Sequence, residues 1–449
     1  MISRRQLLGA SGLLPLGGLL SSLPGASGAA GEDYRTLVVV YLNGGNDGNN
    51  LLVPTDAMYN DYQAARQNLA LPKASLANLP GISAGHSFGL HASLQPLVGL
   101  YNQQRLAFIS NVGPLVMPCT ARQVLDQSVD VPPFLLSHSD QTAIVQGWTV
   151  SDNLNGWAGR ALELLPSQLR NRAAAVTMDT NRTLVLGQRS SVSQMNLDGA
   201  RYWGIGDLGN PKSDGTQALL RMAQWQFSNA YEAEYARTYG LAINDGTFFT
   251  QAFQNAGTPA GDFGSDGNNL ARSLRGIASV LPYFKNAGLK RQVILLQWGG
   301  FDTHTNQRGG DAGTQDSQFA VLAKALQAFD DSNKAAGLDN NVVTLVMTEF
   351  GRTVRPGSGG GSEHAWGNHW MTLGGPVAGG KVVGTFPSPV LGGADDGDPG
   401  KNGRHVPTTS VDQVGATLMQ WLGLSSSQFH DVFPWLVNFQ QKTIPLLRV

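Results

Sequence analysis

Residues 291–307 read RQVILLQWGGFDTHTNQ, and the apolar run at 293–296 decides the fold. That run is β-branched and leucine-rich without alternation. It is far shorter than the roughly 18 residues that cross a membrane, and too uniformly apolar to leave one face in water. It therefore predicts a central strand of a parallel sheet, covered on both sides. The same pattern recurs as TLVVVYL at 36–42, RLAFISNV at 105–112 and VVTLVM at 342–347. Between these runs, residues 92–104, 216–236, 269–284 and 315–333 place apolar side chains three and four positions apart, the spacing of a helix with one buried face. Strands alternating with helices predict an α/β fold, a three-layer α/β/α sandwich around a mostly parallel central sheet.

At 449 residues the chain can form one large domain spanning residues 31–449. Residues 190–290 differ in texture, with helical stretches joined by connectors such as NAGTPAGDFGSDGNN at 255–269, and predict a helical cap inserted over the sheet. The last helix is expected at 410–424, with Ser410 as its N-cap and Gly423 near its end. Charged residues make up 14% of the chain, against about 25% in a typical soluble domain. The net charge of -1, with no basic cluster, excludes the electrostatic footprint of a nucleic-acid binder.

The first thirty residues stand apart. Arg4 and Arg5 precede the moderately apolar LLGASGLLPLGGLLSSL and a small-residue stretch, PGASGAA, suited to cleavage. This resembles a twin-arginine export signal over residues 1–30, which implies the twin-arginine machinery as a partner and a periplasmic or secreted location. That route carries proteins folded beforehand, often around a cofactor, so a preloaded metal fits it. No membrane span is expected in the mature chain. The lone Cys119 has no second cysteine with which to form an internal disulfide.

In open parallel sheets ligands gather beyond the carboxyl ends of the strands, so the residues after each apolar run carry the chemical signal. The first run leads to NGGNDGNN with Asp47, and the run at 291–298 leads to GGFDTH with Asp302 and His304. The run at 342–347 leads to TEFGRT with Glu349, followed by GSGGGSEHAWGNHW with His364 and His369. Asp302 and His304, two apart in an extended segment, point the same way. Carboxylate oxygen mixed with imidazole nitrogen predicts a divalent metal centre, favouring Zn or Mn, with Ca or Mg if the histidines are spectators. Each residue alone has a plainer role: Asp47 as a turn former, Glu349 as a helix cap or partner of Arg352, the histidines as loop residues.

Taken together, GGNDGNN, GLHASLQPL, GWAGRALE, GGFDTH, TEFGRT, SEHAWGNHWMTLGGPVAGGKVVG and VPTTSVDQVGATLMQWLGL resemble the bacterial family of unknown function numbered 1501. That family is typically twin-arginine exported and is distantly similar to the alkaline phosphatase and sulfatase superfamily. The resemblance implies an alkaline-phosphatase-like fold and metal-dependent hydrolysis of a phosphate or sulfate ester, on a small molecule or a polysaccharide. It places metal ligands at Asp47, Asp302, His304 and Glu349, with His364 or His369 completing the set. Where the superfamily often has Asp-His, this chain has Glu349-Phe350. The superfamily's nucleophile follows the second strand at a helix start, and its best match here is LLSHSDQ, making Ser137 the attacking hydroxyl and His138 its helper. The arginine usual before that Ser-His is replaced by Leu136, so Arg352 is the candidate to supply the missing charge. Simple N-capping by Ser137 is the alternative. Leu136 and Glu349-Phe350 also favour a second reading, a metal-binding or polysaccharide-binding envelope protein on the same fold.

Overall fold

The computed structural model describes residues 33–147, 155–196, 212–264 and 267–448; the export-signal segment lies outside them. Nine strands form the central sheet. They are β1 (Arg35–Leu42), β2 (Leu106–Gly113), β3 (Ala175–Thr177), β4 (Ser193–Gln194), β5 (Arg291–Trp298), β6 (Val342–Met347), β7 (Asn368–Leu373), β8 (Lys381–Val383) and β9 (Thr409–Ser410). Their order is β8-β2-β7-β6-β1-β5-β3-β4, with β9 also beside β2. Every pairing is parallel except those of β7, which runs antiparallel between β2 and β6. All four expected apolar runs are strands of this sheet, whereas β7 was not anticipated.

Strand β1 shows how the sheet separates two cores. Val38, Val40 and Leu42 face one apolar cluster, and Leu37, Val39 and Tyr41 face another. Successive side chains alternate across a strand, so a continuous apolar run serves two helical layers at once. Helices Gln95–Asn102, Asn269–Asn286 and Gln315–Ala335 cover the first face. Trp157–Leu164 and Val411–Leu422 cover the second. Each fully buried Val or Leu contributes roughly 1.5–3 kcal/mol through removal from water. Ser410 and Gly423 bound the last helix as expected: Ser410 forms a capping box with Gln413, and Gly423 is left-handed at φ 110°.

Within residues 190–290 the described residues form three helices, Asp214–Gln224, Ala230–Gln254 and Asn269–Asn286. The single helical stretch expected at 216–236 is interrupted because Asn229 caps a new helix, its side chain accepting from Tyr231 N at 2.8 Å. Helix Asn269–Asn286 packs directly on β5, so this part of the expected cap belongs to the covering layer. No helix of the described residues is long and apolar enough to cross a membrane.

Candidate metal centre

Strands β6, β1 and β5 lie side by side, with Leu42 opposite Trp298 and Tyr41 opposite Met347, so their carboxyl ends open onto one rim. Gly44 brings the loop after β1 against the loop after β5. It adopts φ +119°, and a Cβ there would lie 2.4 Å from Asp302 N, so only glycine allows the approach. Gly361 does the same for the segment carrying His364, since a Cβ on it would sit 2.1 Å from Thr303 O.

Three histidines meet at this rim, and the outer nitrogen of each has an oxygen to hold. His138 Nδ1 lies 2.9 Å from Glu349 Oε1, His304 Nδ1 lies 2.6 Å from Glu363 Oε2, and His364 Nδ1 lies 2.8 Å from the Leu136 carbonyl. Carboxylates and carbonyls only accept, so each Nδ1 is assigned the proton. In the neutral ring this leaves a lone pair on each Nε2, the arrangement of histidines that bind metal ions. All three Nε2 atoms face Asp302. Those of His304 and His364 are 3.0 and 3.3 Å from its Oδ1 and 3.0 Å from each other, and that of His138 is 3.3 Å from its Oδ2. Two lone pairs 3.0 Å apart repel unless a proton or a cation lies between them. His138 Nε2 is moreover a buried nitrogen without a hydrogen-bond partner.

Within the trio His138, Asp302 and His364 the separations suit a cation, while His304 Nε2 approaches only Asp302 and His364 among them. Ligands at about 2.0–2.1 Å from a tetrahedral zinc ion stand roughly 3.3 Å apart. His138, Asp302 and His364 offer ligand atoms that all lie within 4.8 Å of one another. Charge is arranged to match. Burial raises the Asp302 carboxyl, but the hydrogen bond and charge of Arg352, with His138 and His304 nearby, outweigh it and hold the group at about 2, so it is anionic. His364 is lowered by burial, with the charges of Arg352 and His138 adding to the effect, which keeps its ring neutral and able to donate a lone pair. His138, by contrast, is raised chiefly by its hydrogen bond to Glu349, so an ion bound there would have to displace a proton from its Nε2.

The chain matches a family model over residues 34–429. The chain belongs to DUF1501, a family of proteins of unknown function. No curated protein matches the sequence. Among solved structures, the chain is similar to the lipoteichoic acid synthase LtaP from Listeria monocytogenes, at 10% identity over 88% of this chain and 74% of that one, TM-score 0.31. It is likewise similar to the phosphonate monoester hydrolase SpPMH from Silicibacter pomeroyi, at 10% identity over 87% and 74%, TM-score 0.31. A third is BT1596, a 2-O GAG sulfatase, at 9% identity over 87% and 71%, TM-score 0.28.

In this DUF1501 chain only some of the expected site residues meet. Asp302, His304 and His364 do. Asp47 is fully buried elsewhere, paired with Arg66, accepting from Gln307 Nε2 at 2.6 Å and capping Asn49 N at 3.0 Å, so its carboxylate has no face left for the cluster. Glu349 sits behind His138 as its acceptor, and also takes Gly44 N at 2.8 Å; it orients His138 and is not itself among the groups facing Asp302. His369 lies inside β7, its Nδ1 accepting from Asn111 N at 3.1 Å and its ring stacked on Phe386, and burial pushes it down to about 3.

The expected nucleophile and charge clamp are engaged too. Ser137 caps helix His138–Val145, and its hydroxyl donates to Asp140 Oδ2 at 2.5 Å. Arg352, buried, binds the carbonyls of Gly45 at 2.7 Å and Ser362 at 2.9 Å, that of Gly44, and Asp302 Oδ1 at 2.5 Å. It ties three loops together and braces Asp302, and its side chain is fully buried, with no surface turned to a substrate. His138, expected as a helper, stands beside Asp302, His304 and His364 at the rim, and Glu363 was missed. Leu136, in the position expected to hold an arginine, adopts φ 72° and aims its carbonyl at His364. A left-handed leucine costs about 1–2 kcal/mol, a strain that persists where neighbours hold it.

Proposed function

We propose that the protein is an exported hydrolase of phosphate or sulfate esters whose divalent metal ion is held by His138, His304, His364 and Asp302. The observation that carries this reading is the convergence of three Nε2 atoms on one anionic carboxylate, each ring oriented from behind by an oxygen acceptor. Zn or Mn suits these donors best. When bound, the ion would supply Lewis acidity toward an ester oxygen and lower the pKa of a water. With Ser137 committed to Asp140, water is the expected nucleophile. Arg352 holds Asp302 in place, and Glu349 and Glu363 hold two of the imidazoles.

A second reading is favoured by one observation: neither Ser137 nor Arg352 is free to meet a substrate. In that reading the protein binds a metal ion or a polysaccharide in the envelope without turnover. Metal analysis of protein purified without chelator, joined to a panel of phosphate monoesters, diesters and sulfate esters, separates the two. Asp302→Ala should lose both metal and turnover. Bound metal with no turnover on any ester would select the second reading, and Asp302→Ala protein retaining metal would refute this metal site in either reading.

A further inference from the structure

We propose that the protein carries a second ligand site, for an organic anion with an apolar body, at the sheet edge away from the metal centre. A cavity of about 540 Å³ opens between helix Ala230–Gln254 and the segments leading into β3 and β4. Its wall includes Arg170, Arg172, Arg189 and Arg237, together with Leu165 and Leu241. The volume falls in the roughly 300–1,000 Å³ range of small-molecule sites. Ala175, on the cavity wall, pairs with Val293 near the start of β5, whereas the metal centre lies past Trp298 at its other end. Five residues of strand at about 3.3 Å each separate the two levels, roughly 17 Å.

Charge and geometry agree on the ligand. The whole chain has a net charge of -1, yet four guanidinium groups border this one cleft, and among the described residues only Arg237 of the four is paired with a carboxylate, donating to Glu234 at 2.6 and 2.8 Å. The two acids of the wall offer them little compensation. Glu163 accepts from Arg189 N and Ser190 N, both at 2.6 Å, and from Ser190 Oγ at 2.8 Å. Asp245 takes the Ser193 hydroxyl and is raised by burial, with Ser193 and the charge of Arg172 opposing.

The arginines are placed for use. Arg172 lies 4.3 Å over the Phe248 ring, which fixes its plane and leaves its donor edges open. Arg170 is fixed by its Nε, which holds the Leu165 carbonyl at 2.6 Å and leaves the terminal nitrogens. The Arg189 side chain has no partner among the described residues. Planar guanidinium forks recognise carboxylate, phosphate and sulfate oxygens in pairs, while the half-buried Leu169 and Leu241 offer an apolar surface for the rest of the molecule.

Titration calorimetry with naphthalene-1-sulfonate, which carries no hydrolysable ester, tests the proposal on the full mature chain, with the neutral analogue 1-naphthalenemethanol alongside. Saturable one-to-one binding is expected. It should weaken at least tenfold in Arg172→Gln and in Arg189→Gln, persist in Asp302→Ala, and be much weaker for the neutral analogue. Arg189 is exposed, so its variant should melt like the parent. Absence of saturable binding, equal affinity for the neutral analogue, or affinity lost in Asp302→Ala but kept in both arginine variants would each overturn the assignment.

Discussion

Replacing Glu363 by Gln tests the proposed metal cage without touching any of its proposed ligands. Glu363 is half-exposed, and its carboxylate receives the His304 Nδ1 proton at 2.6 Å. An amide at that place can present its nitrogen as readily as its oxygen, so the imidazole loses the anion that fixes its tautomer and strengthens its Nε2 lone pair. Outer acceptors of this kind are worth about 10- to 100-fold in metal affinity, or roughly 1.4–2.7 kcal/mol. The fold should hold, because the Glu363 side chain is 49% exposed and the replacing amide would be solvated. Competition of the purified protein for Zn(II) against a chromophoric chelator would read the shift, with melting of the metal-free protein as the control. Unchanged affinity in Glu363→Gln, alongside a large loss in His304→Ala, would refute the claim that Glu363 sets the ring.

His369 is held at about 3 against an ordinary 6.5, so unfolding takes up a proton between those values and stability should fall as pH drops from about 6.5 toward 3, by up to about 5 kcal/mol. His369→Gln should flatten that limb in urea titrations at successive pH values; an unchanged slope would contradict the burial argument. Asp412 is raised by burial to about 7 from 3.8, against the opposing charge of Arg160, so the sign reverses: its contribution is present below about 4 and is lost as pH rises through 7, and Asp412→Asn should gain a few kcal/mol at pH 8 by the same measurement. Gly44→Ala should destabilise by about 2 kcal/mol or more through its φ of +119° and the clash at Asp302 N, with a matching loss of Zn(II) affinity; wild-type melting and metal binding would show that the loop approach is not constrained as described.

The fold was legible because its signal is local. A run such as TLVVVYL can serve two cores only as a central strand, and it does. The convergence of three strand ends was legible for the same reason, since it follows from parallel neighbours. What failed was the choice among chemically equal candidates. His364 and His369 stand five residues apart in one Gly-rich stretch, and only the antiparallel insertion of β7 between β2 and β6 sends His369 into the sheet and leaves His364 at the rim. Asp47 looked like a ligand because nothing near it in sequence announces Arg66 or Gln307, its partners across the fold. Glu363 carried no signal at all. It matters only because Gly361 permits the segment before it to lie against Thr303 and His304.

On the proposed reading, the site also narrows the ion. Removing Asp47 and Glu349 from the ligand set leaves one carboxylate, Asp302, and Arg352 already lies 2.5 Å from it. The anion and the guanidinium together are close to neutral, so the cage offers a dication little net charge. Calcium and magnesium depend on several oxygen ligands and their charge, which this rim lacks. Three imidazole lone pairs are the stronger attraction, and they act on borderline ions such as zinc whose bonds to nitrogen carry more covalency. The same balance gives Arg352 a definite role despite its distance from any substrate: by holding Asp302 anionic and fixed, it keeps that carboxylate facing the histidines instead of turning out to solvent, where 45% of its side chain is already exposed.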